Sequence, residues 1–202
     1  MPGSNGSGSR PGTPQGGRAS VNVPMGGMVF MSSNGQYTSI TSVGGYRALN
    51  GTAAPYTVGT GSKAVNHYGV KTAGMTSCFT VIVAGKSGAI LAHVTAYLGL
   101  ATLNPTQRAE LKAMKDGFKA LWDAHRDALT PTTVAIIPGP STDRTRMAAL
   151  IAQIFPQIAS AVGPNNTWGC DPLPVNRTTS HGTAQVMVAP SKEIFVEDKR
   201  KM

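Results

Sequence analysis

Residues 72–94 decide the fold and read T-A-G-M-T-S-C-F-T-V-I-V-A-G-K-S-G-A-I-L-A-H-V. Cys78–Ala84 is a run of β-branched, aromatic and small apolar residues, and Ala89–Val94 is a second such run. Gly85-Lys86-Ser87-Gly88 separates them. Two β-prone runs joined by a short glycine-rich turn predict a hairpin. The turn sets which side chains meet. With Gly85-Lys86 as the two-residue loop, Thr80 pairs with Leu91 and Cys78 with His93. A loop shifted by one residue pairs Thr80 with His93 and leaves Cys78 diagonal to it. In both registers Cys78 and His93 share a sheet face, where opposed Cβ atoms lie about 5 Å apart.

A thiol beside an imidazole is the arrangement that nucleophilic cysteine catalysis needs. The thiol is weakly ionised at its free pKa of about 8.5, and an adjacent ring can take its proton or stabilise its thiolate. A third group normally orients the ring. Thr72 is the candidate, because the six-residue step from Thr72 to Cys78 keeps side-chain parity along an extended chain. The other histidines fit this role less well. His67 precedes the hairpin on an expected strand, His125 falls on the apolar face of a helix, and His181 lies in a polar segment. The four histidines and two cysteines have no metal-ligand spacing. A Cys78–Cys170 disulfide would inactivate the nucleophile and is disfavoured in a reducing compartment.

Downstream of the hairpin, helices and strands alternate. Asn104, Pro105 and Gln107 supply an N-cap, a first-turn proline and a capping-box partner. Leu111, Met114, Phe118, Leu121, Trp122, His125 and Leu129 follow at the spacing of one helical face. Thr133–Ile137 predicts a buried strand, closed by Pro138-Gly139-Pro140. A second helix is expected from about Ser141, with Met147, Leu150, Ile151, Ile154 and Ile158 inward and an interruption at Pro156. Capping explains Ser141-Thr142-Asp143 more simply than an anion site does. Residues 163–182 read as loop, with strands at Ala184–Val188 and Ile194–Val196. Upstream, Tyr56-Thr57-Val58 and Val65-Asn66-His67-Tyr68 read as short strands.

The expected fold class is therefore α/β (α+β): a layered, sandwich-like mixed sheet with two main helices. Three segments are expected: a disordered Gly/Ser/Pro-rich tail at 1–20, a loosely structured β-prone segment at 21–54, and the folded domain at 55–198. The 202 residues carry 41% hydrophobic and only 13% charged side chains, enough for one core. The net charge is +9, of which +7 falls in residues 1–109, and no acidic residue precedes Glu110. The basic residues are scattered, and no aromatic-interleaved stripe or zinc-finger spacing accompanies them, so nucleic acid is not the expected partner. No dinucleotide or phosphate-loop motif occurs at a strand–helix junction. No apolar run approaches the ~18 residues of a membrane span, and no signal peptide is apparent. A cytoplasmic setting is the default. Asn50-Gly51-Thr52, Asn165-Asn166-Thr167 and Asn176-Arg177-Thr178 match glycosylation sequons that matter only in a secreted chain.

Residues 72–94 also resemble the core motif of the CheD family of chemoreceptor glutamine deamidases, which is related to the cytotoxic necrotizing factor deamidases. That motif has a Thr, then Gly-Leu-Gly-Ser-Cys, a strand, a short turn and Gly-Gly-x-Ala-His. Here Gly74, Met75 and Ser77 lead to Cys78, and Gly88 and Ala92 lead to His93. Thr76 stands where the family has its second Gly, and the turn is shorter by about two residues. The resemblance implies Cys78 as nucleophile, His93 as base and Thr72 as orienter. Backbone N–H groups around Thr76, Ser77 and Cys78 would receive the oxyanion. It implies hydrolysis of a glutamine side-chain amide on a protein substrate, without metal or organic cofactor. Two other readings of the residues stand beside it: a catalytically inactive domain of this fold that binds a protein, and a basic N-terminal half that binds nucleic acid or an anionic surface.

Overall fold

A computed structural model of the chain describes residues 21–41, 47–58, 61–99, 101–130, 132–161, 182–189, 193–196 and 199–200. The expectations for the tail at 1–20, most of the 163–182 loop, Cys170 and His181 fall outside these residues. In chain order the strands begin with β1 (Val21–Asn22), β2 (Gly27–Ser32), β3 (Gln36–Thr41), β4 (Arg47–Thr52), β5 (Tyr56–Val58), β6 (Val65–Met75), β7 (Phe79–Ala84) and β8 (Gly88–Val94). Then come α1 (Pro105–Ala124), α2 (Arg126–Leu129), β9 (Thr133–Pro138), α3 (Arg144–Ile154) and α4 (Pro156–Ala161). The series closes with β10 (Gly182–Ala189), β11 (Glu193–Val196) and β12 (Lys199–Arg200).

Among the described residues the strands form two six-stranded sheets, and the fold is a mixed α+β sandwich. The main sheet is antiparallel, in the order β4-β3-β2-β8-β7-β9. The second runs β1-β6-β10-β11-β12, with β5 also on β6; β1 is parallel to β6 and makes this sheet mixed. Strand parity builds two cores from one sheet. Phe79, Val81, Val83, Ile90, Ala92 and Val94 face the helices and meet Met114, Phe118, Leu121 and Phe155. Ile82, Ala84, Ala89 and Leu91 point the other way, onto Val70, Met75 and Val186 of the second sheet. The layers are thus helices, main sheet and second sheet.

The helices start and stop as their residues require. Asn104 caps α1 in a reciprocal box with Gln107, at 2.9 and 3.0 Å. Asp143 caps α3 by accepting from Thr145 and Arg146, so this helix begins at Arg144 rather than near Ser141. The stripe at Leu150, Ile154 and Ile158 is split at Phe155, because Pro156 cannot continue the ladder and instead starts α4.

One expectation is corrected, and one of the two hairpin registers is selected. The domain does not begin at residue 55, and residues 21–54 are not a loose attachment where they are described. β2 is an interior strand paired with β3 and β8, and Met28, Val29, Phe30 and Met31 are buried on its two faces. The run of Val29-Phe30-Met31 carried this signal, but the surrounding Gly, Ser and Thr masked it. The hairpin takes the shifted register: Thr80 pairs with His93 and Ala84 with Ala89. Gly85 bonds Gly88 at 2.8 Å, and Ser87 donates to Ala128 O at 2.9 Å, which centres the turn on Lys86-Ser87.

A chain starting at residue 55 loses this interior strand. It is expected to show no cooperative unfolding in urea followed by circular dichroism, whereas a chain starting at residue 21 keeps its transition.

Candidate active site

Thr72 and His93 meet, but not along one strand, and no hydrogen bond joins either of them to Cys78. Thr72 lies on β6 in the second sheet and His93 on β8 in the main sheet. His93 shares the inter-sheet face with Leu91, and Thr72 shares the facing side with Val70. Thr72 Oγ1 and His93 Nδ1 are 2.8 Å apart, so the contact crosses the sandwich. Both residues are 1% exposed. Gly74, at φ +79°, lies within β6 where its register with β10 shifts between the Thr72 and Met75 pairs, in the left-handed region that glycine tolerates best. Met75-Thr76-Ser77 then leads into Cys78 at the start of the main sheet.

The hydrogen bonds fix the tautomer of His93. Thr72 Oγ1 has one proton and donates it to Val23 O at 2.8 Å. The contact to His93 Nδ1 therefore needs the proton on nitrogen: Nδ1–H donates and the hydroxyl oxygen accepts. In the neutral ring this leaves Nε2 as a bare acceptor. That atom is buried and has no hydrogen-bond partner among the described residues. Thr80, directly opposite His93, does not supply one, because its hydroxyl is directed at the Met75 sulfur, 2.6 Å away. Cys78 lies two residues before Thr80 on the same face and is thus the diagonal neighbour of His93, at a typical Cα separation of roughly 7–8 Å. It is a free thiol, 7% exposed. Burial lowers the His93 pKa from 6.5 to about 4. The ring is therefore a neutral base at pH 7.

The turn that carries Cys78 is bound from behind by the loop after β9. Gly139 N donates to Cys78 O at 2.9 Å and Ser141 N to Thr76 O at 2.9 Å. The Thr142 hydroxyl sits 2.8 Å from Cys78 O and 3.1 Å from Ser77 O. In a trans peptide the N–H points opposite to the C=O. With the Thr76 and Ser77 carbonyls held by this loop, the N–H groups of Ser77 and Cys78 point away from it. Thr76 and Ser77 themselves are exposed. A Cβ on Gly139 would stand 2.4 Å from Thr76 O and 2.8 Å from Cys78 O, so only glycine permits this approach. Ser77, Phe79, Ala96, Ser141, Thr142 and Asp143 border a cavity of about 100 Å³ beside the turn.

A second polar pair lies at the same end. Extending the β7–β8 register by one residue places Thr95 opposite Cys78. The 3-10 turn Ala96–Gly99 follows and carries Tyr97, whose hydroxyl donates to Glu110 Oε2. Glu110 sits on the inward face of α1 and is 9% exposed. Burial and the bond to Glu110 raise the Tyr97 hydroxyl pKa, and the nearby Thr95 hydroxyl opposes this.

The remaining histidines lie elsewhere. His67 meets Tyr56 across the β5–β6 pair, with ring centres 6.1 Å apart. His125 stacks on Phe30 at 3.6 Å, and burial lowers its pKa. Among the described residues no group of three His, Cys, Asp or Glu side chains is placed to hold a metal ion, and no helix is long and apolar enough to cross a membrane.

Sequence reasoning missed Val23, Gly139, Thr142 and Glu110. Glu110 was detectable: it stands four residues before Met114, on the apolar stripe of a helix. Gly139 reads in sequence only as a strand terminator, and nothing local marks the Val23 carbonyl. No family model, curated protein or solved structure matches the chain.

The depressed His93 pKa makes stability depend on pH. Between pH 6.5 and about 4 the unfolded chain binds a proton that the folded chain refuses, so stability falls as pH drops through this window. Urea unfolding is expected to lose about 3 kcal/mol from this group over that range, and His93→Gln to remove that component of the slope. Gly139→Ala is expected to destabilise the fold by about 1–3 kcal/mol, through the two displaced carbonyl bonds, read in the same titration.

Proposed function

We propose that the chain is a cysteine-dependent amidohydrolase of the CheD-like kind, deamidating a glutamine side chain on a protein substrate. The observation that carries this reading is the bare, buried Nε2 of His93. Its ring is fixed from the far side by Thr72, and Cys78 is its neighbour on the sheet face. A core histidine with no task normally satisfies both nitrogens. One nitrogen anchored and the other left free is how a general base is held.

The chemistry balances with these groups and water. His93 Nε2 takes the Cys78 proton as sulfur attacks the carboxamide carbon, forming a tetrahedral oxyanion. The N–H groups of Ser77 and Cys78 receive that oxyanion. The C–N bond then breaks, and the imidazolium returns its proton to the departing nitrogen, which leaves as ammonia. His93 next takes a proton from water as it attacks the thioester. The C–S bond breaks, a glutamate side chain is released, and the thiol regains its proton. No metal or organic cofactor enters these steps. The low His93 pKa favours a resting thiol–imidazole pair over a preformed ion pair, so proton transfer accompanies attack. A cytoplasmic setting, which keeps thiols reduced, fits a free nucleophile.

Iodoacetamide labelling of Cys78, followed by mass spectrometry between pH 6 and 9, tests the pair. In the folded wild type, labelling is expected to outpace that of a cysteine peptide at pH 7 and to fall by about tenfold or more in His93→Ala. Thr72→Val is expected to give an intermediate loss, because the ring is then free to turn. Slow labelling that does not change with His93 would contradict the mechanism and favour a protein-binding domain with an inert thiol.

A further inference from the structure

The two edges of the main sheet are built differently. β9 is buried at four of its six residues and ends in Pro138. β4, at the other edge, pairs with β3 and with no other strand among the described residues. Five of its six residues are exposed, and Leu49 is 66% exposed. Neighbouring hydrogen bonds show which backbone groups it leaves free. Ala53 N donates to Gly35 O at 2.8 Å, one step beyond the last β3–β4 pair. Bonded and non-bonded pairs alternate along an antiparallel ladder. Gly51, Leu49 and Arg47 therefore bond to β3, and the N–H and C=O groups of Ala48, Asn50 and Thr52 point away from the sheet. The far side of β3 gives the same phase. Ser33 N donates to Ser87 O one step beyond the β2–β8 pairs, which leaves Thr38 and Ile40 bonded to β2 and Tyr37 and Ser39 to β4. Exposed edges are ordinarily guarded by a lysine, a proline, a bulge or a very short strand. β4 has six residues in unbroken register, with no lysine and no proline.

We propose that β4 is a docking edge for an extended acidic segment of a partner protein, which adds to the main sheet as one more strand. Ala48, Asn50 and Thr52 supply the backbone donors and acceptors for it. Charge sets the kind of partner. β1–β8 all lie before Glu110, so this part of the chain has no acidic side chain, and residues 1–109 carry +7. Arg47 opens β4 itself. An acidic strand meets this field with complementary charge, which speeds encounter and fixes register. A second copy of the chain does not, because pairing two β4 edges brings two acid-free halves together. Leu49 adds an apolar contact for the partner side chain that lies beside it on the same face. The partner segment is thus extended, acidic and apolar where it meets Leu49. β3 and β2 separate this edge from His93 on β8, so its use does not depend on the cysteine chemistry.

Fluorescence anisotropy tests the edge with a fluorescein-labelled peptide that alternates Glu with Val over the length of β4, titrated with the full chain at neutral pH. Saturable binding is expected, and the same peptide with Lys in place of Glu is expected to bind about tenfold more weakly or worse. N-methylating the amides of the acidic peptide keeps its charge and removes its donors, and is expected to cost about tenfold or more. Ala48→Pro deletes an outward N–H and spares the ladder to β3, a position at which an edge strand accepts proline. It is expected to weaken binding by a similar factor, with the circular dichroism spectrum unchanged. Absence of binding, equal binding of the basic peptide, or binding unchanged by N-methylation or by a folded Ala48→Pro would overturn the docking edge. Analytical ultracentrifugation tests the rival occupant. A wild-type dimer that Ala48→Pro turns into a monomer would give the edge to a second copy and overturn the acidic partner. If Ala48→Pro does not fold, the N-methylated peptide decides alone.

Discussion

The Thr72 hydroxyl is shared between two layers of the protein, and the candidate site depends on how it is shared. It gives its one proton to Val23 O and accepts from His93 Nδ1, each at 2.8 Å. Because Val23 consumes the proton, the direction of the second bond is settled, and with it the state of the far nitrogen. The β1–β2 segment, the second sheet and the main sheet must all be assembled for this to hold. Val23 N is itself fixed by Lys71 O at 2.8 Å, and Gly26 N binds His93 O at 3.0 Å, so the segment closes over both residues. The bare ring nitrogen is thus a product of tertiary structure.

Cys78, the proposed nucleophile, is positioned from the opposite side. The turn at Thr76–Cys78 contributes few side chains to the core, and its geometry comes from carbonyls gripped by Gly139, Ser141 and Thr142. This divides the work between two regions far apart in sequence. Residues 21–26 and 72 set the protonation of the ring, and residues 139–142 set the direction in which the peptide N–H groups point. The main sheet, buried on both faces, is the rigid element between them.

Much of this was legible from local pattern. The hairpin, the capped helix over Pro105–Ala124 and the break at Pro156 follow from turn residues, a capping box and a missing N–H, all local effects. The shared face of Cys78 and His93 survives either hairpin register, because a one-residue shift of the turn preserves parity between the two strands. What stayed hidden was non-local. Thr72 matches the position that parity assigns, yet it reaches His93 from the facing sheet, because the irregularity at Gly74 separates it from the strand that follows Cys78. β2 was obscured because an interior strand of six residues flanked by Gly-Gly and Ser-Ser reads like loop. Glu110 was passed over because a charge on a helix is ordinarily on its wet face, and here it is not.

The most direct test of the account is the protonation state of the His93 ring, observed through NMR of its two imidazole nitrogens across pH. The structure predicts a neutral ring at pH 7 with the proton on Nδ1, Nε2 unprotonated, and titration only near pH 4. A ring that carries its proton on Nε2, or that titrates near its ordinary value of 6.5, would mean that Thr72 does not hold it and that the free base assigned to Cys78 does not exist.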